Sequence, residues 1–327
     1  MNVLALHAGA LGDLVLALHT VHSLSRSWKA SSVTMVARSP LARWAARHGL
    51  LAETLPFEHR AVRGLHTPGP NLPSGTRTFL QRFDRIVSFL GGVDDPVSRR
   101  LSTLPGLDLL AIDPRPDETE TQRGTHITQQ WIRQIDAPAH RVALRPATIS
   151  LSASERAART DHLSHRLRAR PGRIVLCHPG SGGLEKCCPV EILIKLVETA
   201  MLRGWNVGWM IGPDELERFG PPYVQRLQRT APVIYEESVE VAADLVSGAD
   251  GYIGHDAGMT HVATLAQVPT VALFGPTDPQ VWRPLGGTCR VVSFPPDGPL
   301  DSWIRRVLLH IGQSHHASHD GARLKTP

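Results

Sequence analysis

Residues 247–277 read SGADGYIGHDAGMTHVATLAQVPTVALFGPT. Gly251-Tyr252-Ile253 ends a short apolar strand, and His255-Asp256-Ala257-Gly258 makes a polar turn. Residues 260–267 form a helix rich in small side chains, and residues 270–274 are an uninterrupted apolar strand. Two consecutive strands joined by a helix are expected to run parallel, with their carboxyl ends on one edge. Both ends carry polar or glycine-rich turns, 254–258 and 275–278. Ligands of open α/β sheets bind at that edge. Asp256, Thr260 and His261 fall in the turn and the first helical turn, where free N–H groups and the helix dipole attract anions. Asp256 also reads as a helix N-cap, and His261 alone reads as a core or surface histidine. The crowding of Asp, Gly, Thr and His into so short a segment between buried strands favours a binding site.

The same alternation extends in both directions. Residues 2–7 form a first strand, Ala8-Gly9-Ala10-Leu11-Gly12-Asp13 a glycine turn, and residues 14–24 carry apolar side chains at helical spacing. Strands are expected at 33–37, 53–57, 85–89 and 108–112. Residues 58–78, with Arg60, Arg63 and several Pro and Gly, read as a surface loop, and 113–125 as a second polar loop before a helix at 126–135. A linker follows at 137–150, then an Arg-rich helix at 154–168. A second set has strands at 173–177, 206–211, 232–235, 250–254, 270–274 and 290–294. Its helices fall at 189–203, 214–229, 239–247, 259–267 and 299–312. The expected architecture is α/β, two Rossmann-like domains, 1–150 and 151–312, facing a central cleft. Residues 313–327 form a polar tail expected to be disordered; its His315, His316 and His319 read as solvated.

With 327 residues, 42% hydrophobic and 20% charged, the chain is globular with ample core. No run reaches the length of a membrane span. The apolar N-terminus carries Asp13 and lacks a basic leader segment, so it reads as strand and helix rather than signal peptide. The four cysteines form no CxxC pair, which fits a reduced, cytoplasmic setting. A net charge of +5 suits anionic small molecules, phosphorylated lipids or an anionic membrane surface. It is too mild, and too thinly interleaved with aromatics, for nucleic acid.

Four strand ends carry polar groups suited to chemistry. Gly12-Asp13 follows the first strand. The spacing is not the dinucleotide GxGxxG, and Asp13 would repel a diphosphate there. It reads either as a general base or as a complement to the helix dipole. His178-Pro-Gly-Ser-Gly-Gly-Leu-Glu-Lys186 follows the next domain's first strand. Its Gly180, Gly182 and Gly183 let backbone N–H groups approach phosphate, with Lys186 adding charge. At Ile211-Gly212-Pro213-Asp214-Glu215, a carboxylate reads as a ribose acceptor or a helix cap. The fourth is the opening stretch. There is no Asp-x-Asp pair; His255, Asp256 and His261 are a conceivable three-ligand set without supporting geometry, and neither metal nor cofactor is expected.

These residues resemble the heptosyltransferase-type glycosyltransferases, family 9. The likeness rests on Gly12-Asp13; on His178 to Gly182 followed by Lys186-Cys187-Cys188-Pro189, where the family has Lys-x-Trp-Pro; and on Ile211-Gly212-Pro213. It also rests on Asp256-Ala257-Gly258-Met259-Thr260-His261, where the family has Asp-Ser-Gly-Pro-Met-His, and on residues 268–277. Cys188 replaces the family's Trp, Ala257 its Ser or Thr, and His255 stands where Asn is common. The resemblance implies a GT-B fold and metal-independent, inverting transfer of a heptose from ADP-heptose to a lipopolysaccharide-core or related glycan acceptor. It implies Asp13 as base, and Gly180, Ser181, Gly182, Lys186, Glu215, Asp256, Ala257, Gly258 and His261 as donor-binding residues. Arg60 and Arg63 would meet acceptor anions. The partners implied are the nucleotide sugar, a glycolipid or glycan acceptor, and peripheral contact with an anionic inner-membrane surface. A degenerate nucleotide-sugar-binding protein and a GT-B-like sugar-nucleotide epimerase are the competing readings.

Overall fold

The apolar strand runs fold into two separate parallel sheets. The structure, a computed structural model, describes residues 1–67, 71–135 and 142–313. One compact unit comprises Met1–Ser150 with Gln280–Leu285; the other comprises Leu151–Pro279 with the chain from Gly286 onward.

The first unit holds β1 (Asn2–His7), β2 (Ser32–Ala37), β3 (Glu53–Leu55), β4 (Arg85–Ser88) and β5 (Asp108–Ala111), ordered β3-β2-β1-β4-β5 and parallel throughout. β1 is central, which accounts for its unbroken apolar run: a strand covered on both faces has no polar side to alternate with. After it, the helix Leu11–Ser27 starts three residues earlier than its apolar spacing suggests. Segment 142–149 is tied to this helix. The Ala147 N–H donates to His19 Nδ1 at 2.9 Å and the Arg145 N–H to Ser23 Oγ at 2.9 Å.

Residues 58–78 are not the open loop expected. A short helix, Arg60–Arg63, leads into a 3-10 turn, Gly64–His66, and a further helix, Ser74–Leu80, covers them. Ala61, Val62, Leu65, Leu72, Phe79 and Leu80 pack into the core with Leu4, Leu6 and Ile86. The interspersed Pro and Gly conceal this apolar spacing in the sequence. Arg100 then pins the bend, donating to the carbonyls of Leu65, Thr67 and Asn71. The second expected loop likewise contains a helix, Glu118–Gln122, capped by Asp117.

The second unit opens with the helix Ala153–Leu167, fixed by a capping box between Ser152 and Glu155. Its strands are β6 (Ile174–Cys177), β7 (Asn206–Ile211), β8 (Val233–Tyr235), β9 (Gly251–His255), β10 (Thr270–Phe274) and β11 (Cys289–Ser293). Their order is β11-β10-β9-β6-β7-β8, again all parallel. The core gathers Trp209, Ile253, Leu273, Trp303 and Val307. The helical stretch Pro213–Gln228 is broken at Gly220, whose φ of 73° precedes Pro221-Pro222. Proline lacks the N–H that a continuous helix needs there. The tail histidines and residues 136–141 of the expected linker lie outside the described residues.

Candidate functional site

In the second sheet the strand order turns at β6 and β9, with β7 and β8 on one side and β10 and β11 on the other. The segments leaving these two strands meet at their carboxyl ends. His255, the fully buried last residue of β9, fastens them. Its Nε2 accepts from the Cys188 N–H at 2.9 Å, and its Nδ1–H donates to the Gly180 carbonyl at 3.2 Å. Two backbone partners therefore set the tautomer. Burial, with His178 nearby, pushes the ring pKa down to about 4, so it is neutral at physiological pH. With both nitrogens taken by backbone, His255 clamps the glycine loop and is not one of three metal ligands. It also belongs to the strand, not to the turn.

Beside the clamp, the Ser181 hydroxyl donates to the Asp256 carbonyl at 2.6 Å, and Arg218 donates to the Ser181 carbonyl. Lys186 Nζ lies 2.9 Å from Asp256 Oδ2. Asp256 is thus Lys186's partner rather than a helix cap. The helix Gly258–Leu265 has Ala257 at its N-cap position, with no side-chain oxygen to offer. Among the described residues, the N–H groups of Gly258 and Met259 have no acceptor. The Thr260 hydroxyl turns back onto the His255 carbonyl, and His261 is buried one turn in. Gly182 is exposed, with no atom near the position a Cβ would take.

Glu215 lies against the same loop. Gly212, not Asp214, occupies the N-cap position, and the Glu215 carboxylate accepts the Gly212 N–H at 2.8 Å. Its other oxygen faces His178 Nε2 at 3.5 Å. Burial pushes this carboxyl up, but His178 and the backbone N–H groups outweigh it and leave the pKa at about 2. A Cβ on Gly180 would collide with this carboxylate. Gly180 is therefore glycine because Glu215 fills the space, and it needs no phosphate to explain it.

The structure thus brings Gly180, Ser181, Gly182, Lys186, Glu215, Asp256, Ala257, Gly258 and His261 to one sheet edge. His255, offered by the sequence only as a conceivable metal ligand, also belongs there, as do His178 and Arg218, to which the motifs assigned no role. Arg218 sits three residues beyond Glu215 on the same helix, a spacing that puts both on one face. The other residues singled out lie in the first unit. Asp13 is half-buried in the first turn of Leu11–Ser27. Arg60 and Arg63 are exposed on their short helix and make no ion pair among the described residues. Among the described residues no group of three His, Cys, Asp or Glu is placed to hold a metal ion, and no helix is long and apolar enough to cross a membrane.

Two known proteins match part of the sequence. Lipooligosaccharide heptosyltransferase 2 of Haemophilus influenzae is 26% identical over 124 residues, 36% of this chain and 36% of its own. Lipopolysaccharide heptosyltransferase 1 of Pseudomonas aeruginosa is 34% identical over 117 residues, 34% of this chain and 31% of its own. The match therefore spans about a third of the length of each relative. The fold is similar to that of E. coli ADP-heptose LPS heptosyltransferase II, with a TM-score of 0.72 at 16% identity, covering 96% of this chain and 99% of that one. Two parallel-sheet α/β units and this likeness assign the GT-B fold class. The family model for glycosyltransferase family 9 (heptosyltransferase) matches residues 111–298, more than half of the sequence, and the chain belongs to that family.

Proposed function

We propose that the protein is an inverting, metal-independent heptosyltransferase that moves a heptose from ADP-heptose to a sugar hydroxyl of the lipopolysaccharide core. The E. coli enzyme's name supplies the donor, and the names of the two relatives supply the acceptor class. The observation that carries the reading is the meeting of Lys186, Asp256 and an uncapped helix start at the turning point of the second sheet. Cations and free N–H groups there suit a diphosphate.

In this reading residues 151–312 bind the donor and residues 1–150 the acceptor. The N–H groups of Gly182, Gly258 and Met259 and the Lys186 ammonium take up charge as ADP leaves. Gly180 and Ser181 shape the loop, His261 adds a contact to phosphate, and Glu215, ionised at neutral pH, accepts from the ribose. Asp256 accepts from the heptose hydroxyls, and Ala257 leaves the helix N–H groups open to the donor. Asp13 takes the proton from the acceptor hydroxyl as it attacks the anomeric carbon opposite the departing diphosphate. Arg60 and Arg63 meet anionic groups of the acceptor. The carboxylates of the donor site are engaged by Lys186, His178 and a backbone N–H, which favours leaving-group stabilisation by the chain itself. The enzyme works in the cytoplasm, peripheral to the inner membrane where its glycolipid acceptor lies.

Asp13→Asn is expected to lower transfer by about a hundredfold or more, while ADP-heptose binding, read by calorimetry, survives. Rates with chelator and with added magnesium should agree. An active Asp13→Asn enzyme would remove the base assignment, and a strict magnesium requirement would remove the metal-independent mechanism.

A further inference from the structure

His7 closes β1, the central strand of the first sheet. The order of that sheet turns at β1 and β4, with β2 and β3 to one side and β5 to the other. Ligands of open α/β sheets enter beyond the strand ends at such a point. His7 stands in this position, 2% exposed. Its ring meets Phe89, the residue after β4, edge-on with centroids 6.1 Å apart. Another edge faces the glycine turn. A Cβ built on Gly9 would lie 3.1 Å from both Cε1 and Nε2 of His7 and 3.2 Å from Cβ of Asp13. The imidazole and the Asp13 side chain therefore flank one position at the start of the helix Leu11–Ser27.

Among the described residues the His7 ring makes no hydrogen bond, and its nitrogens are not among the fully buried atoms without a partner, so the ring edge at the turn still reaches solvent. Burial holds the ring pKa down at about 4, so at neutral pH it presents one N–H and one lone pair and carries no charge.

We propose that His7 is a second contact for the attacking acceptor hydroxyl, orienting it beside Asp13. This rests on the reading of Asp13 as the base. The hydroxyl donates its proton toward Asp13 and accepts a hydrogen bond from His7 Nε2–H, which leaves a lone pair for the anomeric carbon. The new C–O bond forms as the bond to the diphosphate breaks. The proton passes to Asp13, the electron pair leaves with ADP, and His7 neither gains nor loses a proton.

The test compares His7→Leu with His7→Gln, whose amide nitrogen reaches the Nε2 position. His7→Leu should lower kcat by about ten- to a hundredfold, leave the KM for ADP-heptose unchanged and leave Tm at or above the wild-type value. His7→Gln should recover most of the rate. A full-rate His7→Leu enzyme, a His7→Gln enzyme as slow as His7→Leu, or a rate loss that merely follows the folded fraction would overturn the proposal. Asp13→Asn in the same assay tests the base reading separately. A second measurement needs no turnover. The histidine-ring NMR signal that is lost in His7→Gln should shift when deacylated lipopolysaccharide core oligosaccharide is added to the full-length protein. An unmoved signal rejects the His7 contact even if no transfer is seen.

Discussion

Lys186 and Glu215 are neighbouring charges whose removal should be felt in different measurements. Lys186→Ala takes a cation from the candidate donor site and leaves Asp256 without the ammonium it pairs with at 2.9 Å. ADP binding measured by calorimetry should weaken by about 1.5–3 kcal/mol, roughly ten- to a hundredfold in Kd. Glu215→Gln instead removes a buried carboxylate held by Gly212 and His178. The unfolding free energy at pH 7 should fall by about 2 kcal/mol. Its folded pKa, about 2, lies below the ordinary value of 4.5. The carboxylate's contribution is therefore complete above pH 4.5 and is lost as pH falls toward 2. Urea unfolding at pH 7 and at pH 3 checks this, and the gap between wild type and variant should be smaller at pH 3.

At the scale of elements, the start of the helix Gly258–Leu265 offers the sharpest substitution. Ala257 has extended backbone angles, φ −150° and ψ 155°, which a capping serine adopts without strain. Ala257→Ser should raise the stability of the ligand-free protein by about 0.5–1 kcal/mol, read as a higher Tm. Elements of this kind were legible in the sequence because period and punctuation agreed. β1, β7 and β10 are unbroken apolar runs, and the helix expected at 154–168 is Ala153–Leu167. The helices at Arg60–Arg63 and Ser74–Leu80 were not legible, because Pro and Gly break their pattern and tertiary burial stabilises them. In the site, the motifs located the right strand ends but left local roles open. Asp256, read as a donor ligand or a helix cap, pairs with Lys186; at the next strand end the cap alternative at Asp214 gives way to the Glu215 carboxylate, which accepts the Gly212 N–H. The His255 clamp was illegible because its partners lie 67 and 75 residues away.

At the scale of the whole molecule, three of the buried histidines are expected to lower stability in acid. His7 and His126 in the first unit and His255 in the second each have a pKa pushed down by burial to about 4. An unfolded histidine protonates near pH 6.5. Between 6.5 and 4 the unfolded chain therefore binds more protons, and stability falls as pH drops. Each ring accounts for a loss on the order of 2–3 kcal/mol by pH 4, a large share of a domain's total stability. Circular dichroism against pH should show unfolding begin below pH 6.5, and His126→Gln should move the first unit's transition to lower pH. His126 also reveals something about how the protein is made. Its Nε2–H donates to the carbonyl of Arg283 at 2.9 Å, within the segment Gln280–Leu285 that belongs to the first unit. During translation that segment leaves the ribosome only after the intervening residues of the second unit, a delay on the order of ten seconds. Through that interval the first unit exists as an unfinished nascent chain, and it is in that window that chaperones have most reason to attend it.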